Sequence, residues 1–331
     1  MDTRRHPTPS RTRALVVGES LTDIIRPADP TQPTVEMPGG SPMNVSIGLA
    51  RQGVDVQFYT ELGADRAGDR IEERLVHEGV DLLTGPRNGC TAIAYAAVRP
   101  DGSADYRFDL EWSLPHGIPQ HSPVDVVHVG SLAAAIEPVA GAIESLMRSA
   151  RAASTVSYDP NIRPAFERDL GLARLRVERQ ARLADIVKAS DEDLAHLFGA
   201  EPVDSIAQRW IDAGAALVVI TRAHRGMLLI TRTARIDLPG RHAGIVDTIG
   251  AGDATTAGLL AGLGTLGLLG ADQREHLRTI EPRTLRAVGE WAQQTALLTI
   301  QRAGAEPPTS AETRDALRDA TSARALAGAA T

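Results

Sequence analysis

Val246-Asp247-Thr248-Ile249-Gly250-Ala251-Gly252-Asp253-Ala254-Thr255-Thr256-Ala257-Gly258 decides the reading of this chain. Three residues without bulky side chains, Gly250, Ala251 and Gly252, stand just before a helical pattern over 252–268. A helix start presents unpaired N–H groups and the positive end of the helix dipole, so it suits an anion such as a phosphate. Asp253 falls in the first turn, beside that anion. An acid there is also an ordinary helix-start residue. Next to a phosphate site, however, a carboxylate is also where a general base for a substrate hydroxyl is needed.

Outward from this stretch, short apolar runs alternate with helical periodicities. Ala14–Gly18, Val54–Thr60, Val124–Val129, Thr155–Tyr158, Ile186–Val187, Leu217–Ile220 and Met227–Ile230 read as strands. Helices are expected over Ser41–Gln52, Arg66–Glu78, 171–184, 191–198, 204–213 and 283–301, with a further one between Val129 and Thr155. Such alternation predicts an α/β fold with a mostly parallel sheet covered on both faces. Two segments break the rhythm. Residues 24–37 are rich in proline, and 90–110 contain two strand-like runs around Asp101-Gly102, a hairpin signal. Together they read as a small β excursion from a main domain over 14–308. Residues 1–13 read as a loose tail and 309–331 as a terminal helix or tail.

Two further stretches are candidates for ligand contact. Gly39-Gly40-Ser41-Pro42-Met43-Asn44 places paired glycines before a helix, where backbone can approach a ligand and Asn44 offers both donor and acceptor. A turn followed by a helix cap reads the same way. Gly18-Glu19-Ser20-Leu21-Thr22-Asp23 sits at the carboxyl end of the first strand, the usual ligand end of an open α/β sheet. Asp23 there suits two hydroxyls, or is a solvated loop acid.

Composition excludes much else. The 331 residues carry 35 Lys+Arg against 42 Asp+Glu, a net charge of -7, which is not the basic surplus of a general nucleic-acid binder. One cysteine, Cys90, makes neither an internal disulfide nor a cysteine metal cage. No apolar run reaches the ~18–20 residues of a membrane span, and Met1–Arg13 lacks the apolar core of a signal peptide; a cytoplasmic protein is expected. Lys188 is the sole lysine and is followed by Ala189-Ser190, so no Walker A loop exists. Gly262-Leu-Gly-Thr-Leu-Gly267 fits a dinucleotide fingerprint by letter, but it follows a helix rather than a strand. His116 and His121 are too sparse for a metal site.

Taken together, "VVGESLTD", "PGGSPMNVSIGLARQG", "ELGADRAG", "YDPNIRP", "VKASDEDL", "VVITRAHRG" and "VDTIGAGDATTAG" resemble, in order, the ribokinase-like (PfkB) carbohydrate kinases. The resemblance implies a ribokinase-like three-layer sandwich with a small β lid over a sugar, and ATP with Mg²⁺. It makes Asp253 the catalytic base and Gly250, Ala251 and Gly252 the anion hole. Asp23, Gly39, Gly40 and Asn44 become sugar contacts, and Lys188, Thr221 and Gly226 fall on the nucleotide side. It assigns Asp193 an indirect magnesium role and Asp247 a monovalent cation, K⁺, as in some relatives. Several positions depart from the family pattern. Thr255 replaces the usual Phe, Ala223 a usual Gly, and Ser190-Asp-Glu-Asp193 the Asn-x-x-Glu motif. "GGSPMN" and "DPNIR" look like fructokinases and 2-keto-3-deoxygluconate kinases, so fructose is expected first and the acid sugar second. Arg163 and, on the lid, Arg107 are candidates for a substrate carboxylate or hydroxyl. Relatives also suggest a homodimer through the lid. A non-catalytic sugar-binding regulator on the same fold is the alternative of another class.

Overall fold

The computed structural model describes residues 11–85, 87, 89–99, 104–110, 122–167, 169–241 and 244–329. The turn Asp101-Gly102, His116 and His121 lie outside the described residues.

Strand β1 (Arg13–Val17) is buried along Ala14–Val17 because strands pair with it on both sides. After it come β2 (Leu21–Arg26), β3 (Val35–Gly39), α1 (Ser41–Arg51), β4 (Asp55–Tyr59), α2 (Arg66–His77) and β5 (Asp81–Leu83). The pair β6 (Ile93–Val98) and β7 (Ala104–Asp109) leads to β8 (Val126–Gly130), α3 (Ser131–Ala135), α4 (Val139–Ala150) and β9 (Thr155–Asp159). Next are α5 (Leu170–Leu183), β10 (Ile186–Ser190), α6 (Asp191–Phe198), α7 (Val203–Asp212), β11 (Leu217–Thr221), β12 (Gly226–Ile230) and β13 (Arg235–Pro239). Helices α8 (Ala251–Thr265), α9 (Arg274–Arg278), α10 (Pro282–Ile300) and α11 (Ser310–Ala329) complete the chain.

Among the described residues the main sheet runs β13-β12-β11-β10-β9-β8-β1-β4-β5, parallel except for β12 and β13. Each face carries its own core. Val16, Phe58, Ile186 and Val219 face α1, α2, α8 and α10. Val17, Val129, Val156 and Val218 face α4, α5 and α7, where Trp210 is fully buried. Burial of each such side chain contributes about 1.5–3 kcal/mol. This is the expected α/β sandwich. Two edge strands, β5 and β13, lie outside the sequence expectation; β5 is three residues long, too short to show a period. The fingerprint-like glycines fall in and just after α8, a helix, so the strand-turn-helix context of a dinucleotide site is missing.

The lid is a second sheet of order β3-β2-β6-β7. Its two antiparallel hairpins are joined by parallel pairing of β2 with β6, Thr22 opposite Ile93 and Arg26 opposite Ala97. The first lid strand begins at Leu21, so Asp23 stands on the lid rather than in a loop after β1. Side chains alternate across the sheet. Leu21 and Ala94 pack on Leu132 of α3, and Phe108 meets Phe166 with ring centroids 4.7 Å apart, so this face covers the main domain. Asp23 is opposite Ala94 and shares that face, whereas Arg107 is opposite Tyr95 on the other. Among the described residues no helix is long and apolar enough to cross a membrane.

Candidate active site

The site gathers at the carboxyl ends of the parallel strands, where α8 begins. Gly250 is the N-cap of α8 in a left-handed conformation, φ 75°, which glycine adopts without a β-carbon clash. The first turn closes from the Ala254 N–H to the Gly250 carbonyl at 2.8 Å. The N–H groups of Gly252 and Asp253 therefore stand ahead of the helical ladder, in the position that favours an anion.

Asp253 is only 8% exposed. Its carboxylate accepts the Ser41 hydroxyl at 2.7 Å and the Asn44 amide at 2.8 Å, both from the first turn of α1. Burial raises its pKa; the hydrogen bonds from Ser41 and Asn44 and the charge of Lys188 oppose that rise without cancelling it. A buried carboxylate with a raised pKa beside N–H donors has the properties of a general base poised at a phosphate. Asn44, expected at a sugar, thus also orients Asp253.

Beneath Asp253 lies a buried ion pair. Lys188 Nζ is 2.8 Å from Asp159 Oδ2, at 4% and 2% residue exposure. Burial acts to lower the lysine pKa, but the charge and hydrogen bond of Asp159, then Asp193 and Asp253, outweigh it and leave it raised. The ammonium reaches the backbone of α8, since a β-carbon at Gly252 would fall 2.9 Å from Nζ. Lys188, expected on the nucleotide side, therefore sits below the helix start.

The paired glycines seat α1 against the lid. A β-carbon at Gly39 would fall 2.0 Å from the Asp23 carboxylate. Gly40 has φ 107°, and a β-carbon there would meet the Glu19 carbonyl at 2.7 Å. Asp23 is pushed up to about 6 by burial, against the charge of Arg163. Glu19, at the exit of β1, is pushed up to about 7 by burial, against hydrogen bonds from Ser131, its own N–H and Ala133, and against Arg163. Arg163 is exposed, and its guanidinium is steadied by Asn161 Oδ1 at 2.6 Å. The structure thus brings Asp23, Gly39 and Gly40 together where the lid meets the start of α1, with Arg163 close enough for its charge to act on Asp23 and Glu19. Arg107 is not among them: it lies on the outer face of the lid, 5.7 Å from the Tyr95 ring centroid. The strand alternation that turns Asp23 inward turns Arg107 outward.

Thr221 ends β11 beside Ser190 of β10. Gly226 has φ 94°, and Ala223 keeps a left-handed φ of 47°, the conformation for which a glycine is the unstrained residue. Asp193 is occupied by the fold. Oδ2 accepts the N–H and hydroxyl of Ser190 in a capping box, and Oδ1 accepts the Ile162 N–H at 2.9 Å. Asp247 accepts the N–H groups of Ile249 and Gly304 at 3.0 and 2.9 Å. Thr255, in place of the expected Phe, turns its hydroxyl to the Ala251 carbonyl at 2.9 Å. No cluster of three His, Cys, Asp or Glu that could hold a metal occurs among the described residues.

Ser41, Glu19 and Asp159 escaped the sequence reading. Asp159 stood in the quoted "YDPNIRP" stretch, but nothing local says which acid meets the sole lysine. Ser41 had the signal of a hydroxyl at the start of α1, yet its partner is 212 residues away.

Comparison with known proteins places this geometry. The sequence profile of the "pfkB family carbohydrate kinase" matches residues 11–312. A fructokinase of Rhizobium leguminosarum bv. trifolii is 33% identical over 262 residues, covering 75% of this chain and 79% of that protein. The crystal structure of a fructokinase with bound ATP from Xylella fastidiosa superimposes with a TM-score of 0.82 at 26% identity, over 93% of this chain and 99% of that one. A fructokinase double mutant from Vibrio cholerae O395, in its form with bound fructose, ADP and potassium ion, gives a TM-score of 0.77 at 26% identity, over 93% and 99% of the two chains. With the family profile spanning most of the chain and the fold superimposing on a fructokinase over nearly its whole length, the chain belongs to the pfkB family of carbohydrate kinases.

Proposed function

We propose that the protein is an ATP-dependent fructokinase that transfers the γ-phosphate to a primary hydroxyl of fructose. The observation that carries the reading is Asp253, buried and raised in pKa at the N-terminus of α8, beside the free-standing N–H groups of that helix start and held by Ser41 and Asn44 of the helix that follows the lid hairpin β2–β3. The fructokinase names of its relatives support the choice of sugar.

In this reading the hydroxyl oxygen of the sugar gives its proton to Asp253 and forms the new P–O bond. The bond between the β-γ bridging oxygen and the γ-phosphorus breaks, and ADP leaves. The backbone of Gly250, Ala251 and Gly252, with the Asp253 N–H, holds the charge on the transferring group. Asp23, Gly39, Gly40 and Asn44 orient the sugar, and Arg163 binds a further hydroxyl. Thr221 and Gly226 border the nucleotide, and Lys188 supports the same side from below. Among the described residues no side-chain cage for a divalent ion occurs; a bound Mg²⁺ would be held chiefly by the phosphates of the nucleotide and would neutralise their charge, with Asp193 acting at a distance through the loop it holds. A monovalent cation, K⁺, would be held by Asp247 and the Ile249 carbonyl. Closure of the lid excludes water.

A coupled assay of ADP release tests the reading across fructose, 2-keto-3-deoxygluconate, ribose and adenosine. Fructose is expected to give the highest kcat/KM, and Arg163→Ala to cost less than about tenfold there, the worth of one hydroxyl contact. Preference for the acid sugar with a much larger Arg163→Ala loss assigns the second substrate instead, since Arg163 is then the partner of a carboxylate. ADP release independent of every sugar refutes the kinase.

The partly exposed Ile24, Ile93 and Tyr95 on the outer lid face support a homodimer in which a second lid covers them. Light scattering at micromolar concentration is expected to give twice the chain mass; a monomer mass refutes the dimer.

A further inference from the structure

The loop that enters α8 is held from behind by the segment that follows α10. The N–H groups of Val246 and Asp247 donate to the Ile300 carbonyl at 2.8 and 3.2 Å, and Gly304 N–H donates to Asp247. Ala305 is packed against Gly250, where a β-carbon would fall 2.7 Å from its Cβ. The placement of residues 304–305 therefore sets the placement of Gly250.

The next residue, Glu306, anchors that segment. Its carboxylate meets Arg51 at 2.8 Å and also pairs with Arg74. Both guanidiniums share Glu78, at 2.6 and 3.3 Å. Arg51 also donates to the Pro307 carbonyl at 2.8 Å, and Gln52 to that of Pro308 at 2.9 Å. Burial acts to raise the Glu306 pKa, but Arg74 and Arg51 outweigh it, so the group stays charged. An isolated surface pair contributes little, but a partly buried network of four charges with backbone bonds fixes a position.

The two arginines lead to the rest of the site. Arg51 ends α1, whose first turn holds Asp253 through Ser41 and Asn44. Arg74 lies on α2, whose N-cap Asp65 binds Thr91 just before β6 and whose Arg70 binds the Glu36 carbonyl on β3. We infer that Glu306 is a positioning residue: clamped by Arg51 and Arg74, it presses Ala305 against Gly250 and so registers the N–H groups at the start of α8 with Asp253 and the base of the lid. The effect on turnover rests on the kinase reading; the effect on the loop does not.

Glu306→Gln keeps the size and removes the charge. In the full chain, amide hydrogen exchange over residues 247–253 is expected to quicken about tenfold, while exchange in β9 and β10 stays as in wild type. Wild-type turnover on the sugar panel decides the kinase reading on its own. On that enzyme Glu306→Gln should lower kcat about tenfold, as small misplacements of a reacting geometry do, with the sugar KM within about twofold. Arg74→Gln should repeat the pattern, and the double variant should be no worse than the worse single one. Glu312→Gln, which loses bonds to Arg302 and Thr309 instead, should change neither exchange nor kcat. Unchanged exchange over 247–253 in Glu306→Gln and in Arg74→Gln overturns the inference, whatever the enzyme's activity.

Discussion

Asp253→Asn is expected to lower kcat by about 10²–10⁴-fold, the usual worth of a positioned general base, with a much smaller change in the sugar KM. The substitution preserves volume and the helix start, so the fold should persist. What it removes is the negative charge and the basicity that let the side chain take up the hydroxyl proton. The pH profile carries a second signature. Burial holds the Asp253 pKa above its ordinary 3.8, so the acid limb of kcat/KM should lie above that value and disappear in the variant. Near wild-type turnover by a folded Asp253→Asn protein would remove Asp253 from the chemistry.

Lys188→Met should cost about 3–5 kcal/mol of stability, because it strips the partner from a buried carboxylate. Asp159 is 2% exposed and its Oδ2 lies 2.8 Å from the ammonium. With the lysine gone, the opposing charge that restrains the Asp253 pKa is gone too, so the acid limb of any remaining activity should move upward. Replacing both members of a buried pair by apolar groups is often close to neutral, so Lys188→Met with Asp159→Leu should be more stable than Lys188→Met alone. Urea unfolding midpoints at pH 7 measure both. A Lys188→Met midpoint equal to wild type would mean that water reaches and solvates Asp159.

The sequence by itself determined the layers of the main domain and the start of α8. Those depend on short-range physics: apolar runs for strands buried on both faces, 3.6-residue periodicity for helices, and glycines followed by an acid at a helix N-terminus. Asp253 was legible for that reason, and so was the lid hairpin β6–β7. The tertiary structure alone decided which charges meet. Lys188 finds Asp159 among 42 acidic residues, and Ser41 finds Asp253 across 212 positions, by the way α1, α8 and the sheet pack. It also decided which face each lid residue shows. Strand side chains alternate, so a one-residue change of register exchanges inside and outside; pairing Asp23 with Ala94 and Tyr95 with Arg107 sends the aspartate to the face that covers the main domain and the arginine to the opposite one. The raised pKa values of Asp23, Glu19 and Asp253 belong to the same class, because desolvation is a property of the packed fold and has no local pattern in the chain.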